Sequence, residues 1–392
     1  MKRHGQDGIA LVVTLVVMTL LFIIGTAFLS ISSTETLISI NERNRLQAFH
    51  LAEAGIERAI AQLNVDGTYP GTADEEPERL AGIGEYTVTV TDLPALPDIV
   101  DRKRIVSTAY VPNRAVPNRA TTQIQVDVRR GSPFQHALFG LDAVGVEANV
   151  LVDSYDSSLE DYDPSTAGAR GHIRSNDNIN LLTNNMVKGD VIAGGSVSRF
   201  ASTTITGAVR ERAPSASVVP DIGFPPYTSA TTGISPPTAY NIATRNLTVD
   251  AGETVTLDPG LYSFNSVTLG PDAKVVLDGP VTLYLTGRFH AKGGGVINTS
   301  KKPANLIMYS SAPVENAFEL DAGTGEFYGA VYVVHGEFDI DTSQWEFFGA
   351  VVAQTVDLDS DIAIHYDVSL ARLSLPVGKF RPIAGTWREI LP

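Results

Sequence analysis

The chain has 392 residues, 43% hydrophobic and 19% charged, a composition that excludes a disordered protein; its length calls for several folding units and excludes a single small domain. A formal net charge of −15 opposes a non-specific hold on nucleic acid, which depends on lysine and arginine displacing counterions from phosphates. With no cysteine, a disulfide framework, a thiolate nucleophile and a cysteine metal site are all excluded.

From Ile9 to Ile31 the sequence is uncharged and mostly apolar, about 23 residues, enough to cross a bilayer of roughly 30 Å as a helix. Lys2 and Arg3 precede it, which by the positive-inside rule keeps the N-terminus cytoplasmic and exports the chain beyond the span. A secretory signal has a shorter apolar core and a small-residue cleavage site, and neither is found here. An ordinary single-span anchor meets the same criteria. Past the span, Leu37, Ile40, Asn44, Ala48, Leu51, Gly55, Ala59 and Leu63 recur at steps of three or four, which predicts that the helix continues as an amphipathic one. Asp66, Gly67, Pro70 and Gly71 are its predicted stop, so residues 9–64 form one helix about 80 Å long at 1.5 Å per residue.

The run "GIALVVTLVVMTLL" followed by "NERNRLQAFHLAEAGIERAI" resembles the N-terminal region of PilX-type minor pilins, over roughly the first 64 residues. The resemblance implies a leader, residues 1–8, removed by prepilin peptidase after Gly8, so that Ile9 opens the mature chain; Gly5 is a second, poorer position. It also implies that Ala52, Glu53, Ala54 and Gly55 form a helix assembly motif. One departure stands out. The glutamate that major pilins carry five residues into the mature chain is replaced by Val13, as in subunits that sit at a filament tip or prime assembly. The cost of a carboxylate in hydrocarbon without a partner is the physical basis of that reading.

Residues 65–131 are expected to form a small antiparallel sheet, because EYTVTVT from Glu85, RIVSTAY from Arg104 and TTQIQVDV from Thr121 alternate apolar and polar residues, with prolines between them. Beyond Gly131 the pattern becomes short Val, Ile and Leu runs divided by Gly, Asn and Asp. Residues 132–212 are read as the first part of a β-rich region, 213–240 as a proline-rich loop or linker, 241–375 as repeats and 376–392 as a C-terminal tail. The repeat is direct: FELDAGTGEFYGAVYV from Phe318, FDIDTSQWEFFGAVVA from Phe338 and VDLDSDIAIHYDVSL from Val356, with Val-Thr-Leu recurring at Val255, Val267 and Val281. A parallel β-solenoid generates such a pattern, and a β-sandwich is the alternative. The fold class is α+β: a long membrane helix, a small antiparallel sheet and a large all-β region. A PilX-type helix before a Gly-rich β-region with "FYGAV" and "IHYD" segments is similar to uncharacterised bacterial proteins.

Asp357, Asp359 and Asp361 alternate, and on a strand they would share one face that suits calcium; solvated aspartates opposite a core are the plainer reading, and the glycine and distal glutamate of an EF-hand loop are missing. Asp153, Asp156, Glu160, Asp161 and Asp163 are expected to be solvated in a loop. His172, His290, His335 and His365 have no organising motif and are taken as structural, and "KGGGV" from Lys292 as a turn without the ending of a phosphate loop. Phe327, Tyr328, Trp345, Phe347 and Phe348 are expected to stack internally rather than on sugars. No cofactor is called for apart from calcium at the three aspartates. The chain is thus expected to be no enzyme but a minor-pilin-like subunit of a type IV pilus, in the bacterial inner membrane with its C-terminal region exported. Its expected partners are other pilins through the helix, the membrane, prepilin peptidase and a surface or glycan ligand, with no nucleic acid. The alternatives are a type II secretion pseudopilin and a membrane-tethered carbohydrate-binding or carbohydrate-active protein.

Overall fold

The computed structural model describes residues 7–72, 77–94, 102–216, 224–373, 375 and 379–390. Most of the expected leader, including Lys2, Arg3 and Gly5, and Pro220 of the proline-rich stretch lie outside the described residues. The chain divides into two compact units, one holding residues 1–95, 101–129 and 380–392 and the other residues 96–100 and 130–379.

The first unit is led by α1, Asp7–Leu63, a single helix of 57 residues. Its first half is apolar and exposed, long enough and apolar enough to cross a membrane. The predicted stripe becomes a buried face only from Ala48 onward: Ala48, Leu51, Ala52, Ile56, Ala59, Ile60 and Leu63 are buried, whereas Leu37 and Ile40 are exposed. The stripe repeats every three to four residues, so one side of the helix meets an antiparallel sheet of β1 (Glu78–Leu80), β2 (Gly84–Leu93), β3 (Arg102–Val111) and β4 (Ala120–Arg130). β3 alternates strictly, with Ile105, Ala109 and Val111 turned to the core, which also holds Tyr86, Val88, Ile124, Val126 and Val128. These are the three strands expected from the alternation, plus a short edge strand.

The stretch 376–392, read as a tail, contributes two strands. Phe380–Pro382 and Arg388–Ile390 both pair with β4. Buried Phe380 and the bond from its N–H to Asn64 Oδ1 at 2.6 Å hold the first, and Thr386, which accepts from the Asp127 N–H at 3.1 Å, holds the approach to the second. Short polar strands of this kind have no alternation to read.

The second unit is built from parallel ladders stacked in tiers. Phe318 faces Phe338, Phe327 faces Phe347, Tyr328 faces Phe348 and Gly329 faces Gly349, so the 20-residue sequence repeat is also the structural repeat. The Val-Thr-Leu triplets lie in strands of the same kind, with Val255 opposite Val275 and Val267 opposite Phe289. The apolar residues of successive tiers point inward and make one continuous core from Phe134 to Leu370. The aromatics stack there: Phe289 on Phe318 at 4.9 Å, Phe318 on Phe338 at 4.7 Å and Phe327 on Phe347 at 5.1 Å, with interplanar angles of 12°, 10° and 9°.

Spatial order departs from chain order. β5 (Leu138–Val146) and β6 (Leu151–Tyr155) open the unit, yet they lie in the middle of the stack. On one side they pair with 173–187, which pairs in turn with 191–205. On the other side β5 pairs with Trp345–Leu358 and β6 with Ala363–Asp367, the last strands of the unit. The tiers from Tyr240 onward therefore stack back towards the point where the unit began.

Candidate functional site

The helix–sheet seam of the first unit and an acidic row along the tiers of the second both combine special geometry with polar chemistry. At the seam, Ala52 and Gly55 of the AEAG segment face the sheet, Ala54 is exposed, and Glu53 meets His50 at 3.1 Å on the outer side. Gly55 marks the closest approach: a Cβ there would lie 2.3 Å from Ser107 Oγ and 2.8 Å from Tyr86 Cδ2. Small residues let helix and strand backbones come this near. Beside the seam Tyr86 OH donates to Glu78 Oε2 at 2.7 Å, and Arg58 Nε lies 2.8 Å from the same oxygen, which ties helix to sheet. Burial, then the Glu78 hydrogen bond, push the Tyr86 phenol well above its usual range. Gly8 and Ile9 both lie within α1. The exposed apolar side chains of α1 reach from Leu11 to Leu46.

In the second unit the ladder register aligns His290, Glu319, Asp339 and Asp357 in neighbouring tiers. Burial, then the Asp357 and Glu337 charges, raise the Asp339 carboxyl to about 7. Burial, then Glu147 and Asp341, raise Asp359 to about 6, and burial with Glu147 raises Asp357. The three aspartates expected on one face are not equivalent. The strand ends at Leu358, so alternation stops after Asp357; Asp361 has φ 63° and its carboxylate accepts from Asn149 Nδ2 at 2.9 Å.

Asp153, expected in a solvated loop, is instead fully buried, because β6 carries it into the stack. His365 Nδ1 lies 2.7 Å from its Oδ1, Tyr162 OH donates to Oδ2 at 3.1 Å, and Lys188 Nζ stands 3.4 Å from Oδ2. A buried carboxylate is tolerable when so surrounded. The cluster bolts together the tiers that are distant in sequence, which gives His365 a structural role. Asp156 and Asp163 cap local turns through Ser158 and Ser165. Lys292 ends a strand, Gly293 turns at φ 74°, and a further strand runs over Gly294–Asn298.

Among the described residues one further cluster combines histidine with acids. His290 Nε2 lies 3.4 Å from Glu319 Oε2 and 3.2 Å from Asp321 Oδ2, with all three ligand atoms within 4.8 Å of one another. Sequence reasoning missed it because its members come from two strands joined only by the ladder.

In the first unit, then, one long helix is exposed and apolar at first and packs through small residues on an antiparallel sheet at its far end. Residues 7–57 match the family model described as PilX N-terminal, so this segment is a PilX-type N-terminal region. Residues 265–373 match a domain of unknown function (DUF7305), a span that includes the paired strands Gly325–Ile340 and Trp345–Leu358. No curated protein matches the chain. Among solved structures, the competence-associated pilin ComZ from Thermus thermophilus superposes with a TM-score of 0.30 at 14% identity, over 89% of this chain and 98% of that one.

Proposed function

We propose that the chain is a minor pilin that enters the inner membrane once through the apolar half of α1, is trimmed after Gly8 by prepilin peptidase, and joins a pilus through that same helix. The observation that supports this most is the division of one continuous helix into a long exposed, mainly apolar part and a last part, from Ala48 to Leu63, buried against its own sheet. Only the first part is left to meet lipid and then neighbouring subunits. On this reading the parallel tiers are coils of a β-solenoid, supported by the in-register stacking of Phe327 on Phe347 and Tyr328 on Phe348. The β-region is the exported part and would present a face to a surface or glycan. Val13, in place of a carboxylate, favours a position where one neighbouring subunit is missing, at a tip or in a priming complex. It equally suits a type II secretion pseudopilin, whose machine uses the same kind of helix.

The test is the intact mass and N-terminal sequence of the protein from its native membrane beside a Gly8→Val variant. A mature chain that begins at Ile9 in the parent, with the variant uncut, is the expected result. An uncut N-terminus in both would reduce α1 to a plain anchor and end the filament reading. Identification of the pilins or pseudopilins that cross-link to the mature helix then separates the two machines.

A further inference from the structure

The histidine and the two acids beside it lie in neighbouring parallel strands, Phe289–Lys292 and Phe318–Ala322, with His290 directly opposite Glu319. The register slips by one residue just beyond: Ala291 faces Leu320, but Lys292 faces Ala322. Asp321 is the extra residue of this bulge, so it does not sit across from Lys292 and its carboxylate is turned to His290 instead. Bulges re-aim single side chains in this way.

We propose that His290, Glu319 and Asp321 bind a divalent cation of the zinc class. Separations of 3.2 and 3.4 Å from the imidazole nitrogen to the two carboxylate oxygens match the edges, about 3.4 Å, of a tetrahedron with bonds of about 2.0–2.1 Å. Asn316 Nδ2 donates to Glu319 Oε1 at 2.9 Å, which fixes that carboxylate and leaves Oε2 facing the histidine, as second-shell partners of metal ligands do. His290 and Glu319 are buried while Asp321 is half-buried, so the cluster opens on one side, where an ion enters and water fills the remaining position. The half-exposed Arg288 guanidinium stands 4.0 Å from Glu319 Oε2, at the limit of an ion pair and farther than the imidazole, so among the described residues the cluster keeps two carboxylates around one imidazole. An imidazole ligand selects zinc and its neighbours in the first transition row over calcium, whose ligands are oxygens. The site differs from the three aspartates in ligand type and place, and it stands whether or not the chain enters a filament.

The experiment uses tag-free full-length protein in detergent, stripped with chelator and titrated with zinc by calorimetry, with metal content counted after dialysis. One zinc per chain is expected. His290→Gln and Asp321→Asn should each weaken binding about tenfold or more, and Asp357→Asn should leave it unchanged. Asp321→Asn conserves shape at a half-buried position, so it decides the question should His290→Gln fail to fold. Zinc should also raise the melting temperature of the parent and not that of Asp321→Asn. An unaltered zinc affinity in Asp321→Asn, loss of all zinc on dialysis of the parent, or calcium bound as tightly as zinc would each overturn the proposal.

Discussion

Gly55 sits where an alanine would be the better helix former by about 0.8–1.0 kcal/mol, so its presence needs a reason outside the helix. The reason is Ser107, whose Oγ would stand 2.3 Å from an added Cβ, with the Tyr86 ring close behind. Overpacking of this kind costs about 1–3 kcal/mol and outweighs the helical gain. Gly55→Ala is therefore expected to lower stability by about 1–2 kcal/mol in denaturant melts, and Ser107→Gly in the same chain to restore part of it; a stabilised Gly55→Ala would mean that the seam is not tight. A second residue-scale consequence concerns acid. Burial, then the Arg174 and His172 charges, hold His136 down at about 4, below its ordinary 6.5. The neutral ring belongs to the folded state, so its contribution is complete above about pH 6.5 and is lost as pH falls towards about 4. Melting temperatures recorded from about pH 7 down to about pH 5 should fall more steeply for the parent than for His136→Leu. Equal slopes would contradict the assigned burial.

Within the tiers, the element to consider is the pair of strands carrying EFYGAV and EFFGAV. Gly349 adopts φ 150°, and a Cβ there would lie 1.7 Å from the Gly329 carbonyl oxygen of the strand it pairs with. Gly349→Ala should cost about 3 kcal/mol or more through strain and overpacking, seen as loss of soluble protein or a much lower denaturant midpoint. Gly252 also has positive φ but open space around it, so Gly252→Ala should cost only about 1–2 kcal/mol, and similar losses at both positions would refute the close-approach argument. These strands were legible in the sequence because a parallel ladder sets each aromatic on its own counterpart, which preserves the repeat residue by residue. The antiparallel strands β2 to β4 were legible through alternation, and α1 through its apolar run and the amphipathic stripe that follows it. Other features left no local trace. The strands at 380–390 are short and polar, Asp153 is buried by a strand of five residues in an apparent loop, and His290 meets Asp321 only through a bulge. Each depends on pairing between segments far apart in the chain.

At the scale of the whole second unit, the order of stacking decides which part is last to open. In a stack built in chain order the final tier would have one neighbour and would fray. Here Trp345–Leu358 pairs with Gly325–Ile340 on one side and with β5 on the other, so Val351 lies between Val331 and Leu138, all of them buried. The buried Asp153–His365 pair reinforces the same joint. The terminal tiers are elsewhere: among the described residues Val209–Arg210 pairs with 191–192, and Tyr240–Asn241 pairs with Asn246–Val249 towards the other end. Amide exchange follows local opening, and strands flanked on both sides open only with the unit as a whole. Hydrogen exchange on the full-length protein should therefore find Val351, Val352 and Ala353 among the slowest amides, Leu138 and Phe139 equally slow, and Val209 and Asn241 much faster. Leu138→Ala, a buried truncation worth about 2–5 kcal/mol, should speed exchange at Val351 and at Ile173 together, because both strands lean on β5. Exchange at Val351 as fast as at Val209 would mean that the last tier does not dock on the first. The unit would then be an ordinary sequential stack with a free end.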